Sequence, residues 1–143
     1  MPVYSPEATG VIGRAQLEAR RLGFPFVQRE QLFLGLLQEP TIQRILSELR
    51  IDLGSARGMV EDRLLPGLGA PDDPSAIGVL PTAEQVFQHR AQAAAAIMGH
   101  TTIRPEHILL GFLLEQHGVV LEVLTNLGLT KDRLMDVMKR LDA

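Results

Sequence analysis

The chain states one pattern twice. Glu30-Gln31-Leu32-Phe33-Leu34-Gly35-Leu36-Leu37-Gln38-Glu39 returns 76 positions later as Glu106-His107-Ile108-Leu109-Leu110-Gly111-Phe112-Leu113-Leu114-Glu115. The same offset pairs Arg14-Ala15-Gln16 with Arg90-Ala91-Gln92, Ala19 with Ala95 and Gly23 with Gly99. Past Glu39 the offset grows to 78, pairing Leu46 with Leu124 and Leu49 with Leu127, so the second copy carries a two-residue insertion. A register held from Arg14 to Glu39, with a glycine fixed inside an apolar run, requires two similar structural units that share a core.

Each unit reads as helical. From Ser5 to Leu22 the apolar residues Ala8, Val11, Ile12, Ala15, Ala19 and Leu22 recur at steps of three and four, the stripe of an amphipathic helix. Ser5 is placed to cap it, Pro6 to open it and Gly23 to stop it. The equivalent helix runs from Thr82 to Met98. Connectors Phe24–Arg29 and His100–Pro105 lead into second helices, Glu30–Glu39 and Glu106–Glu115, apolar on most sides and therefore buried. Gly35 and Gly111 sit inside them, where glycine costs about 0.5–1 kcal/mol relative to alanine. Its presence at both places predicts a crossing helix that leaves no room for a Cβ. Third helices are expected over Thr41–Leu49 and Val119–Leu127, and fourth helices over Leu53–Leu65 and Lys131–Leu141, capped by Asp52 and Thr130. The prediction is an all-α protein: two tandem four-helix repeats, 1–65 and 80–143, joined by a Pro/Gly/Asp-rich linker over 66–79. They form one domain with a pseudo-twofold. Aromatic residues are only 4% and no stretch alternates for long, so strands are not expected.

Composition narrows the function classes. The net charge of −3 argues against polyanion binding. An all-helical DNA-binding regulator is the alternative from another class, but no basic recognition helix supports it. There is no cysteine, no apolar run of membrane-spanning length, and Met1-Pro2-Val3-Tyr4 does not open a signal peptide. A cytoplasmic protein without nucleic-acid or membrane partners is expected. No Gly-x-Ser-x-Gly, His-Glu-x-x-His, Gly-x-Gly-x-x-Gly or phosphate-cradling Gly-x-x-x-x-Gly-Lys-Ser/Thr occurs, so neither catalysis nor a cofactor is expected. The four histidines lack metal-ligand spacing; His107 is expected to be partly buried and hydrogen-bonded within the fold. Arg14 and Glu18 stand at i,i+4, a surface ion pair.

The spacing Ala15-x-x-x-Ala19-x-x-x-Gly23 and Ala91-x-x-x-Ala95-x-x-x-Gly99, a connector, Glu106-His107-Ile108-Leu109-Leu110-Gly111-Phe112-Leu113 and then Val123-Leu124-Thr125-Asn126-Leu127-Gly128 resembles the Clp N-terminal repeat. That repeat stands in tandem at the front of unfoldases of the ClpA, ClpB and ClpC kind. The first copy is more diverged, with Gln31 in place of the histidine and Arg50 in place of the later glycine. The resemblance implies a non-catalytic binding module that docks adaptor proteins, substrates, or Clp ATPase or peptidase subunits. A stand-alone accessory protein is the preferred reading, because Met1-Pro2-Val3 reads as a natural start and Arg140–Ala143 closes on the last helix. The alternative is the excised N-terminal domain of a ClpC/ClpB-type ATPase that binds degrons or phosphoarginine.

Candidate binding residues follow from both lines of reasoning. Glu30 and Glu106 open the second helices, where the helix dipole favours a carboxylate. The resemblance implies instead that each holds the guanidinium of a phosphoarginine, once per repeat, with phosphate donors before the glutamate and at the start of helix one. The residues available are Arg29 and Ser5 in the first copy, and Thr82 in the second, where Pro105 offers no donor. Phe24, Phe26 and Ile103 on the connectors either plug the core or line an apolar groove for an adaptor or degron.

Overall fold

The computed structural model describes residues 3–142. Its first repeat contains α1 (Pro6–Leu22), α2 (Arg29–Leu36), α3 (Pro40–Glu48) and α4 (Leu53–Glu61). The second opens with α5 (Pro81–Gln85), a π-turn (Val86–Arg90) and α6 (Ala91–Ile97), and continues with α7 (Pro105–Leu113), α8 (Val119–Asn126) and α9 (Lys131–Asp142). The linker carries a 3₁₀ turn at Pro74–Ala76. The expected caps are present. Ser5 accepts from Ala8 N, Asp52 from Ser55 N and Thr130 from Arg133 N, while Gly23 and Gly99 end their helices at positive φ.

Some helix ends fall short of expectation. The second helix of the first copy stops at Leu36, because the residue before a proline is driven out of the α region and Glu39, preceding Pro40, is extended. The fourth stops at Glu61, and Leu65 beyond it is exposed with no core to reach. The long first helix of the second copy is interrupted by its π-turn. That turn is a one-residue insertion. Before it Pro6 and Pro81, Ala8 and Ala83, and Val11 and Val86 stand 75 apart; after it Ala15 and Ala91 stand 76 apart. All of these alanines and valines are fully buried, so the extra residue keeps one packed face in phase. The Tyr4 hydroxyl donates to the Phe87 carbonyl inside the turn at 2.7 Å, and the two rings stack.

Strands, not expected from the sequence, do occur as two parallel bridges of two residues. β1 (Val3–Tyr4) pairs with β4 (Thr102–Ile103), and β2 (Phe26–Val27) pairs with β3 (Gly78–Val79). Segments this short show no alternation in sequence. Their pattern exposes the pseudo-twofold: the segment leading into each repeat pairs with the connector of the other. One hydrophobic cluster runs through both repeats, with Phe33 of α2 edge-on to Phe112 of α7.

The glycine expectation holds at both crossings. A Cβ on Gly35 would lie 2.7 Å from the Ala15 nitrogen, and one on Gly111 would lie 3.1 Å from the Ala91 nitrogen. The Arg14–Glu18 pair does not form. Glu18 lies on the packed face of α1, 3% exposed, and accepts from Arg21 Nε (2.8 Å), Gln38 Nε2 (2.7 Å) and Arg57. Burial alone would raise its pKa, but the two guanidinium groups outweigh that and hold it below the usual range. Arg14 reaches Glu39 Oε2 instead, at 2.8 Å.

Candidate functional site

The strand exchange decides which residues share a surface. Because β1 lies beside β4, the start of α1 is delivered to the start of α7. Ser5 and Glu7 therefore share one cleft with Thr102, Arg104 and Glu106, closed off by Thr41 and Arg44 of α3 and the end of α9 at Leu141 and Asp142. This first cleft encloses about 350 Å³. At the opposite end β2 beside β3 delivers α5 to the start of α2. Thr82, Gln85 and Arg90 meet Arg29 there, together with Glu115, Gln116 and His117, in a second cleft of about 190 Å³. The expected grouping, one site per repeat, is thus corrected. Ser5 stands with Glu106 and Thr82 with Arg29; the first cleft is lined from both repeats, and the second takes Arg29 from the first repeat and its other lining residues from the second.

Glu106 is 8% exposed in the first turn of α7, with Arg104 Nε 3.6 Å from its carboxylate. Glu30 is half-buried in the first turn of α2. Ile103 belongs to the core, while Phe24 and Phe26 are half-buried, Phe24 packed against it. None of the three lines either cleft.

The third residue of each second helix caps its own N-terminus. Gln31 Oε1 accepts from Gln28 N, and His107 Nδ1 accepts from Arg104 N, both at 2.8 Å. An acceptor at Nδ1 requires the proton on Nε2, which sits 2.7 Å from His100 Nδ1. His100 Nε2 is then the donor to Asp142, 3.0 Å away. Desolvation, with His100 and Arg104 nearby, lowers the His107 pKa from the usual 6.5 to about 4, so the His107 ring is neutral at pH 7. His107 is fully buried, more so than the partial burial expected. In the first copy Phe24 stands where His100 would be, and the buried Gln31 Nε2 has no partner. Among the described residues no group of three or more His, Asp or Glu is arranged to hold a metal ion.

Sequence reasoning missed a pair of equivalent ion pairs, of which the one in the second repeat lines the second cleft. Arg14–Glu39 (2.8 Å) and Arg90–Glu115 (2.9 Å) are the same contact in the two copies, tying helix one to the end of helix two. Arg29 adds a second partner to Glu115 at 2.9 Å, across the repeats. The signal was available: Arg14 and Glu39 both recur at the 76-residue offset, as Arg90 and Glu115.

Comparison with known proteins identifies the family and the fold. Residues 3–137 match the family described as Clp repeat (R) N-terminal domain. The chain belongs to the Clp N-terminal repeat family. It is 41% identical over 127 residues to the chloroplastic chaperone protein ClpC of Pisum sativum, covering 87% of this chain and 13% of that one. It is 40% identical to a chloroplastic ClpA homolog, an ATP-dependent Clp protease ATP-binding subunit, of Brassica napus, with 87% and 14% covered. The chain thus spans about one seventh of the length of these relatives. The N-terminal domain of the ClpD chaperone from Arabidopsis thaliana superposes with a TM-score of 0.73 at 26% identity, covering 98% of this chain and 95% of that one. The Hsp104 N-terminal domain from Candida albicans shares the fold, with a TM-score of 0.75 at 17% identity over 99% and 92% of the two chains. Among the described residues no helix is long and apolar enough to cross a membrane.

Proposed function

We propose that this Clp N-terminal domain is a non-catalytic protein-binding module of a cytoplasmic Clp chaperone–protease system, docking an adaptor, a substrate or a Clp subunit at the clefts where its repeats meet. The observation that carries the reading is the exchange of leading segments. Each cleft takes residues from both repeats, so it exists only in the folded tandem, and the second is bridged by the Arg29–Glu115 ion pair. Membership of the family and the likeness to ClpC and ClpA proteins support the choice of a Clp system. Capture from a lysate of the source cells tests it: a Clp ATPase, peptidase or adaptor is expected on the immobilised protein, and Thr102→Trp or Gln85→Trp, each filling one cleft from an exposed position, is expected to reduce recovery. Failure to retain any Clp component or client ends the reading.

Phosphoarginine-marked substrates are one client class for the first cleft. Support comes from the Glu106 carboxylate sharing that cleft with the Ser5 and Thr102 hydroxyls and two arginines, Arg44 and Arg104. Calorimetry with free phosphoarginine is expected to give binding that Glu106→Ala abolishes; heat that survives the substitution removes Glu106 from the site.

A further inference from the structure

The two clefts are built alike but carry opposite charge. Glu7, Glu106 and Asp142 outnumber Arg44 and Arg104 in the first. In the second, two guanidinium groups face a single carboxylate: Arg29 Nη1 and Arg90 Nε each donate to one oxygen of Glu115 at 2.9 Å. Glu115 is nearly buried, its side chain 9% exposed, whereas Arg29 and Arg90 keep 22% and 33%. Among the described residues Arg29 adds only the His117 carbonyl at 3.3 Å. Arg29 Nη2 and both terminal nitrogens of Arg90 make no further hydrogen bond there. One positive charge and several N–H donors therefore face a partly sheltered cleft without a protein partner, where a charge-assisted hydrogen bond is stronger than on an open surface.

Three departures from the repeat coincide at this place. The two-residue insertion of the second copy is Gln116–His117, which lines this cleft and also the adjoining cavity of about 580 Å³. Arg29 replaces the proline that stands at the other cleft as Pro105. Gly118, at φ 129°, packs on the Arg29 guanidinium so closely that a Cβ would lie 3.1 Å from its Cζ. In the adjoining cavity Arg63 is neutralised by Glu122 at 2.8 Å, and the remaining polar groups include the uncharged amides of Gln116 and Asn126. A cationic pocket thus opens into a groove of balanced charge that also presents side-chain amides.

The geometry points to the second cleft as the docking point for the carboxylate of an acidic residue in an extended segment of a partner protein, with Arg29 and Arg90 taking the carboxylate and Gln116 and Asn126 the neighbouring peptide groups. This rests on the protein-binding reading and names the chemistry of one cleft.

The test uses the whole protein, labelled with nitrogen-15, and two probes: acetylated Gly-Gly-Glu-Gly-Gly amide and its glutamine counterpart. The glutamate peptide is expected to shift the side-chain N–H signals of Arg29 and Arg90 and the amides of Gln116 and His117 saturably. The glutamine peptide is expected to leave them in place, and a rise from 20 to 300 mM salt to weaken binding about tenfold. Arg29→Gln/Arg90→Gln/Glu115→Gln removes the excess charge without leaving a buried carboxylate unpaired and is expected to weaken binding at least tenfold. Should that variant not fold, Arg29→Ala, which leaves Arg90 on Glu115, is expected to weaken it several-fold. Shifts spread over all the arginines without saturation overturn the assignment, as does unchanged affinity in the folded variants. Inorganic phosphate saturating the same signals at a tenfold lower concentration than the glutamate peptide assigns the cleft to phosphoryl groups and overturns the carboxylate. Run in the Clp-capture experiment, the triple variant separates the two ideas. Capture by the wild type and the variant alike sinks this cleft alone, whereas no capture by the wild type sinks the protein-binding reading.

Discussion

Arg50 is the one described non-glycine residue at positive φ, at 58°, and it stands where the second copy has Gly128 at 85°. A side chain in the left-handed region costs about 1–2 kcal/mol, part of which glycine gives back through its freer unfolded chain. Arg50→Gly is therefore expected to stabilise the protein by about 0.5–1 kcal/mol, read as a rise in the urea midpoint with an unchanged slope. A lower midpoint would mean that Arg50 makes a contribution outweighing its backbone strain. Single residues of this kind were legible in the sequence, since a glycine kept in one copy and lost in the other marks a backbone demand. Glu18 was not legible. Its partners Gln38 and Arg57 lie 20 and 39 residues away, and no local spacing announces them.

At the scale of elements, the helices followed from periodicity and caps, while their junctions followed from less visible causes. The π-turn was hidden because one offset was laid over the whole repeat; the 75-residue spacing of Ala8 with Ala83 was present but unread. The histidine chain was hidden because periodicity cannot show that a connector folds back to set His100 against His107. That chain carries a pH dependence. His107 has its pKa depressed to about 4 in the fold and takes up a proton near 6.5 when unfolded. The unfolded state therefore binds more protons between these values. The stability His107 contributes is complete above pH 6.5 and falls, by up to about 3 kcal/mol, as pH drops toward 4. His107→Gln copies the cap that Gln31 makes in the first repeat and removes this titration. Denaturant midpoints measured from pH 7.5 to 4 are expected to fall less steeply in the variant than in the wild type. Parallel curves would show that other groups control the acid limb.

For the whole molecule, the doubling visible in the sequence establishes two units but not how they interlock. The exchange depends on pairs such as Val3 with Thr102 and Phe26 with Gly78, held by two-residue bridges too short to leave a pattern. That interlocking carries a consequence for folding. Cut at the linker, either repeat keeps four helices but loses the segment that should pair with its connector, and exposes the face where Phe33 meets Phe112. A unit of about 65 residues buries too little apolar surface to tolerate such a loss. A second copy of the same repeat presents nearly the same partner, because the two repeats are related by a pseudo-twofold, and isologous pairing closes a dimer. Residues 77–143, which retain β3, are expected to fold only as a homodimer in which β3 of each chain pairs with the connector of the other. Light scattering after size exclusion should give twice the chain mass, and the unfolding midpoint should rise with protein concentration. A monomer that unfolds cooperatively and independently of concentration would show that each repeat is a self-sufficient unit, and the clefts between repeats would then be junctions of two domains instead of products of a single fold.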